Sequence, residues 1–353
     1  MLCKKLYQVL SSDSTTKTCR LTFAPNQPDI NDPFFISEEP KNIEIVCFKN
    51  TYLSIFKEAH DYFQNYPSIS VAASPKDWNT YYSSLGYLLT TPENKTNFNV
   101  HYDTFLKMWE IDDSKELLNR ELKIVQRLLT SSNNRLNKSS SLWQMYRKLY
   151  TLSMDYNNGT NHNYIFTFLE SGSKHLSNYY CWNASRWFFD VFPINEKKLM
   201  IDNVKQFCFK NFKDSSSWDA LAYMLCQQRK KIGYNIKNYY HPNEPDQREH
   251  QWLEFEVDEI FAEIIHLIDS FAVTELPPFL CCRTIAVSFP ELKVITKVLK
   301  KWRSDIQKFE QQYGPLQFIR NNPIPASKYT DDIIISGLSR HIGYKKRFVE
   351  QNL

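Results

Sequence analysis

The residues able to do chemistry are spread thinly along the chain. Eight cysteines include no C-x-x-C pair, and the closest two, Cys281 and Cys282, are vicinal. Eight histidines form no H-E-x-x-H and no H-x-E. Tetrahedral zinc needs several such ligands at short, regular spacings, so no metal site is expected. Only 7 glycines occur, against about 25 at average usage of roughly 7%. Phosphate-cradling loops need clustered glycines, which excludes a P-loop or a dinucleotide fingerprint. Lys and Arg total 43 against 39 Asp and Glu, a net charge of +4. So even a balance gives no electrostatic footprint for nucleic acid. No window is apolar enough to span a membrane. Unpaired cysteines and the absence of a signal-peptide-like start point to the cytoplasm.

These sparse groups must be held by helices. Glycine weakens helix interiors, so its shortage suits a helical chain. The 24 Phe, 21 Tyr and 8 Trp supply bulk for helix–helix interfaces. Residues 11–40 read as loop, rich in Ser, Thr, Asn, Asp and Pro. Ile43–Phe48 alternates weakly as a short strand, and Thr51–Phe63 carries apolar residues at helical spacing. From Ser114 a helical stripe runs through Leu118, Leu122, Val125, Leu128 and Leu129. A polar break follows at 131–134, and a second helix starts near Ser140 with Trp143 in its first turn. The unit recurs. Its aromatic anchors are Phe98, Trp143, Trp182, Trp218 and Phe279, separated by 45, 39, 36 and 61 residues.

A degenerate period of about 35–45 residues with two helices per unit predicts an all-α fold, an α–α superhelix or solenoid of antiparallel hairpins. The predicted domains are a leader of mixed loop and helix at 1–75, the hairpin array at 76–312 and a basic tail at 313–353. Residues 231–248 read as an insertion on one face, and 291–312 as a capping helix. The tail's Arg340, His341, Lys345, Lys346 and Arg347 read either as a solvated terminus or as a contact for an acidic partner.

The anchor motifs, best seen in Ser177-Asn178-Tyr179-Tyr180-Cys181-Trp182-Asn183-Ala184-Ser185-Arg186, resemble the protein prenyltransferase α-subunit repeat. The stretch Leu88–Val100 looks most like that family's divergent repeat-containing branch. The resemblance implies a cytosolic geranylgeranyltransferase α subunit. Its partner would be a β subunit of the Rab-enzyme type, and its substrate a protein with a C-terminal cysteine, such as a farnesylated SNARE. Zinc and isoprenoid diphosphate would sit on the β subunit, with no cofactor on this chain. By the same resemblance Lys138, five before Trp143, and Tyr179, three before Trp182, would stabilise the diphosphate leaving group. Ser141, Asn178 and Tyr180 would line the substrate, although Ser141 stands where the family has Gln and Tyr180 where it has His. Read from the residues alone, Lys138 is a solvated lysine in a polar turn and Tyr179 a packing tyrosine. The alternative function is a helical-repeat scaffold for protein–protein interaction.

Overall fold

The computed structural model describes residues 1–12, 18–27, 32–65, 78–112, 115–155, 162–226, 257–319, 322–325 and 333–352. Among these, 75% are helical, which meets the all-α helical-repeat expectation. The chain divides into two compact units, Met1–Ala184 and Ser185–Leu353.

The N-terminal unit opens with α1 (Leu2–Ser11), a three-stranded sheet of β1 (Thr18–Ala24), β2 (Phe34–Glu38) and β3 (Asn42–Phe48), and α2 (Lys49–Asn65). Helix α1 is bracketed by opposite charges. Its first amides, Leu2 N–H and Cys3 N–H, donate to the Glu58 carboxylate at 2.6 and 2.8 Å. Its last carbonyls accept from the buried Arg127 guanidinium: Val9 at 3.1 Å, Leu10 at 2.7 Å and Ser12 at 2.9 Å. Both ends match the helix dipole and satisfy groups that a helix leaves unpaired.

The order in the sheet is β1-β3-β2, with β1 parallel and β2 antiparallel to β3. Two strands therefore stand where the composition of 11–40 reads as loop. The strands are short, and their ladder partners lie many residues away or across a turn. Local composition cannot register that pairing.

Three helical hairpins follow in chain order, α3 (Trp78–Thr90) with α4 (Lys95–Asp112), α5 (Lys115–Leu129) and the short α6 (Asn134–Asn137) with α7 (Ser140–Asp155), and α8 (Tyr164–Lys174) with α9 (Tyr179–Val191), within which the unit boundary falls; a fourth, α10 (Ile194–Lys210) with α11 (Ser215–Cys226), belongs to the C-terminal unit. Every anchor sits in the first turn of a hairpin's second helix, and the local chemistry is repeated. Four residues before Phe98, Trp143, Trp182 and Trp218 stands a capping side chain that accepts the N–H of the residue preceding the anchor. Asn94 accepts from Asn97 at 3.2 Å, Ser139 from Leu142 at 3.1 Å, Asn178 from Cys181 at 3.3 Å and Asp214 from Ser217 at 2.9 Å. A cap of this kind contributes about 1 kcal/mol. It also fixes where the helix starts, so the aromatic ring turns inward. Trp143, Trp182 and Trp218 are fully enclosed, and Phe98 nearly so. The predicted stripe on α5 is buried throughout. Ser114, its predicted helix start, lies outside the described residues, as does the insertion at 231–248.

The C-terminal unit continues with α12 (Val257–Ser270), α13 (Leu276–Ser288), α14 (Lys293–Tyr313), the β4 (Leu316–Ile319)–β5 (Asn322–Pro325) ribbon and α15 (Ile333–Gln351). Phe279 is the anchor of α13; Pro277 in that first turn removes an N–H that would otherwise need a cap. The basic tail is largely spent inside this unit. Lys345 is buried and reaches Asp269 at 2.7 Å and Asp305 at 2.9 Å, and Lys346 reaches Glu310 at 2.7 Å. Burial alone would raise the Asp269 pKa, but hydrogen bonds from Lys301 and Lys345 bring it below the usual carboxylate value.

Candidate functional site

The turn between α8 and α9 is built from conflicting local demands. Helix α8 stops at Lys174, and His175 is extended. Ser177 is then held at φ 54°, a left-handed conformation that costs a non-glycine residue about 1–2 kcal/mol. That reversal lets Asn178 cap α9. It also leaves three large apolar side chains in solvent within five residues: Leu176 (55% exposed), Tyr179 (58%) and Tyr180 (42%). The two tyrosine rings meet edge to face at 5.6 Å. Burial, then the positive charges of Lys138 and Lys174, holds the His175 pKa below its ordinary value. Lys174 also pairs with the Glu170 carboxylate at 3.1 Å.

Beneath the turn lies a buried polar junction. The Asn137 amide donates to the Leu129 carbonyl at 2.7 Å and to the Ser171 hydroxyl at 2.8 Å. Its side-chain oxygen accepts from Asn178, and its backbone carbonyl accepts the Trp143 indole N–H at 2.9 Å. The junction thus joins the end of α5, the Trp anchor of α7, the middle of α8 and the cap of α9.

The residues singled out from sequence part company here. Asn178 is fully buried and occupied by capping and by Asn137. Ser141 is buried, its amide 3.4 Å from the Glu93 carboxylate. Lys138 ends α6 and acts electrostatically on His175. Tyr179 and Tyr180 face solvent. So Lys138, Tyr179 and Tyr180 border one turn, while Ser141 and Asn178 serve its foundations.

A second cluster carried no sequence signal. The Ser84 hydroxyl donates to the Tyr81 carbonyl at 2.8 Å and lies 2.8 Å from His101 Nδ1. His101 Nε2 lies 3.0 Å from Glu121, which also accepts from the Tyr81 hydroxyl. The residue types are those of a hydrolase triad, but all four side chains are fully buried. The network ties α3, α4 and α5 together and offers no face to a substrate. The four residues come from three helices, so no local spacing marks them. Among the described residues no group of three or more His, Cys, Asp or Glu could hold a metal ion. No helix there is long and apolar enough to cross a membrane.

The fold and this surface define a helical-hairpin protein with an exposed aromatic turn. Three domain families match along its length: the ECM9 N-terminal domain at residues 1–130, the ECM9 middle domain at 142–244 and the ECM9 C-terminal domain at 257–353. Protein ECM9 of Saccharomyces cerevisiae (strain ATCC 204508 / S288c) is 41% identical over 364 residues, which cover 100% of this chain and 96% of that protein. The chain belongs to the ECM9 family.

These matches overturn the resemblance to prenyltransferase α subunits and, with it, the geranylgeranyltransferase reading. The physical reason is visible in the hairpins. A capping side chain four residues before a buried aromatic satisfies backbone N–H groups at a helix start, so the motif reports local geometry rather than membership of that family. The leaving-group role of Lys138 and Tyr179 rested on the resemblance. So did the β subunit, the lipidated substrate, the zinc and the isoprenoid diphosphate. All lose the support it gave them.

Proposed function

We propose that this ECM9-family chain is a cytoplasmic helical scaffold that binds a protein partner through the Leu176–Tyr180 turn. The observation that carries the reading is the exposure of Leu176, Tyr179 and Tyr180 together. Apolar residues scattered singly over a surface are ordinary, whereas an apolar patch with a polar rim marks an interaction site. Tyrosine suits such a site, since it offers large contact area and a hydroxyl at low entropic cost. Lys138, whose charge reaches His175, favours a partner whose apolar segment carries a carboxylate. Eight free cysteines suit a reducing compartment.

The test replaces Leu176, Tyr179 and Tyr180 with serine in the full chain. Partners recovered from the native host with the wild-type and the triple variant are quantified by mass spectrometry. The reading expects a stoichiometric partner whose recovery falls at least tenfold in the variant, with an unchanged urea midpoint. Equal recovery of every partner from a folded variant would refute it.

A further inference from the structure

The sheet of the N-terminal unit has two outer strands of different character. The edge of β1 is met by other parts of the same unit: Ser132 N–H, in the turn after α5, donates to the Leu21 carbonyl at 3.2 Å, and Arg20 pairs with Glu170 of α8 at 3.2 Å. The outer edge of β2 is different. Glu39 N–H bonds the Asn42 carbonyl at 2.8 Å, and the register from there is one-for-one, Glu38 opposite Ile43 through Phe34 opposite Cys47. Antiparallel ladders alternate. Phe35 and Ser37 therefore spend their backbone groups on β3, while Phe34 and Ile36 turn theirs outward. Among the described residues neither Phe34 nor Ile36 has a backbone partner on that side.

Natural edge strands are usually blunted by an inward charge, a proline, a bulge or a cover. Residues 34–37 of β2 carry no charge, proline or bulge. Phe35 and Ile36 are 45% and 52% exposed, and successive strand residues point to opposite faces. Among the described residues the edge therefore leaves the outward backbone groups of Ile36 and of the buried Phe34 without a partner, with an apolar side chain exposed on each face.

The charges say what fits there. Asp32 stands before the strand, Glu38 and Glu39 at its far end, and Glu44 on the neighbouring β3, with Lys41 the one cation in the hairpin turn. A second copy pairing antiparallel through β2 would set Asp32 of one chain against Glu38 and Glu39 of the other, at both ends. A parallel copy would align like with like. Either pairing juxtaposes carboxylates, which is destabilising. A strand with an alternating apolar centre and basic ends places cations at both acidic ends instead.

We propose that the outer edge of β2 is a docking site for an extended partner segment, added as an antiparallel strand, with an apolar core and basic flanks. Backbone bonds at Phe34 and Ile36 supply binding, as in other strand-addition complexes. Phe35 and Ile36 pack against the guest's side chains, and the carboxylates select its ends. The surface is separate from the Leu176–Tyr180 turn and does not rest on that reading.

The test titrates two labelled synthetic peptides into the full chain by fluorescence anisotropy. One is Lys-Lys-Val-Thr-Val-Thr-Val-Lys-Lys, and the other has Glu at the four Lys positions. The proposal expects saturable binding of the basic peptide and at least tenfold weaker binding of the acidic one. Ile36→Pro removes an outward N–H that β3 does not use, a change an edge strand tolerates; it should weaken the basic peptide at least tenfold. The double charge reversal Asp32→Lys with Glu39→Lys should reverse the preference, and it keeps the test intact if Ile36→Pro fails to fold. No binding of the basic peptide, equal affinity for both peptides, or full affinity in folded Ile36→Pro would each overturn the proposal. So would a dimer abolished by Ile36→Pro in a chain that binds neither peptide.

Discussion

Replacing Asn137 with alanine should strike the N-terminal unit harder than its small size suggests. The residue is fully buried, and its amide nitrogen serves the Leu129 carbonyl at 2.7 Å, the Ser171 hydroxyl at 2.8 Å and the Ser171 carbonyl at 3.2 Å. Its oxygen serves Asn178. Alanine deletes all of these while leaving the backbone carbonyl that holds the Trp143 indole. A buried polar group stripped of its partner costs about 1–3 kcal/mol. The Leu129 carbonyl loses a near partner, whereas Asn178 and Ser171 keep contact with each other at 3.4 Å. A loss of about 3 kcal/mol follows, a large share of the roughly 5–15 kcal/mol that stabilises a domain. With a urea slope of about 1–3 kcal/mol/M, the midpoint of this unit's transition should drop by about 1 M or more. Hydrogen exchange with mass spectrometry locates the damage: protection should fall in α7, α8 and the start of α9, and persist in the β-sheet. Asn203→Ala is the control. Its amide bonds only the Leu199 carbonyl, 2.8 Å away on an exposed face, and surface changes of this kind stay within about 0.5 kcal/mol. An Asn137→Ala chain as stable as the control would refute the view that this junction holds the hairpins together.

Gly86→Ala should destabilise by about 1–3 kcal/mol through overpacking, because a Cβ there would lie 2.8 Å from the Cys3 sulfur and 3.1 Å from Ile55. Adding Cys3→Ala should restore part of that loss, and a double-mutant cycle in urea measures the coupling. Stability should also fall below neutral pH. Burial, aided by the Lys123 charge, lowers the His162 pKa to about 3. The unfolded histidine takes up a proton below about pH 6.5 while the folded one stays neutral. The contribution is thus full above that pH and is lost as pH falls toward 3, about 2 kcal/mol by pH 5. His162→Gln should flatten the change in urea midpoint between pH 7 and 5. Finally, native labelling with a maleimide should find at most one quick thiol, Cys19. The other seven cysteines are buried, and burial pushes Cys47, for one, up to about 12. Several fast thiols would contradict this packing.

The anchors were legible because they obey a local rule. Trp143, Trp182 and Trp218 are large and recur 39 and 36 residues apart near the start of a helical pattern, so size and spacing alone placed them in the core. The stripe on α5 was legible for the same reason: five apolar residues at helical spacing need one shared face. What escaped is everything that depends on distant partners. Thr18–Ala24 and Phe34–Glu38 become strands only against β3. Arg127 looks like one more basic residue on an amphipathic helix, yet it closes the end of α1 from 117 residues away in sequence. Ser84, His101 and Glu121 share a core only because three helices converge.

The functional reading failed for a related reason, and the failure says where function should be sought. The structure behind those anchors, a cap followed four residues later by an inward aromatic, satisfies backbone N–H groups at a helix start. It is a solution to folding, available to any helical hairpin. Residues attached to it, Asn178 and Ser141 among them, therefore carry packing duties before any other. The positions that folding does not explain are those that oppose it: Leu176, Tyr179 and Tyr180 left in solvent beside a strained Ser177, and Phe35 and Ile36 on an unblunted edge. Each forgoes stability that a polar residue or a buried one would supply at the same place. Under the two proposals above something else covers each of these surfaces, and both lie in the N-terminal unit.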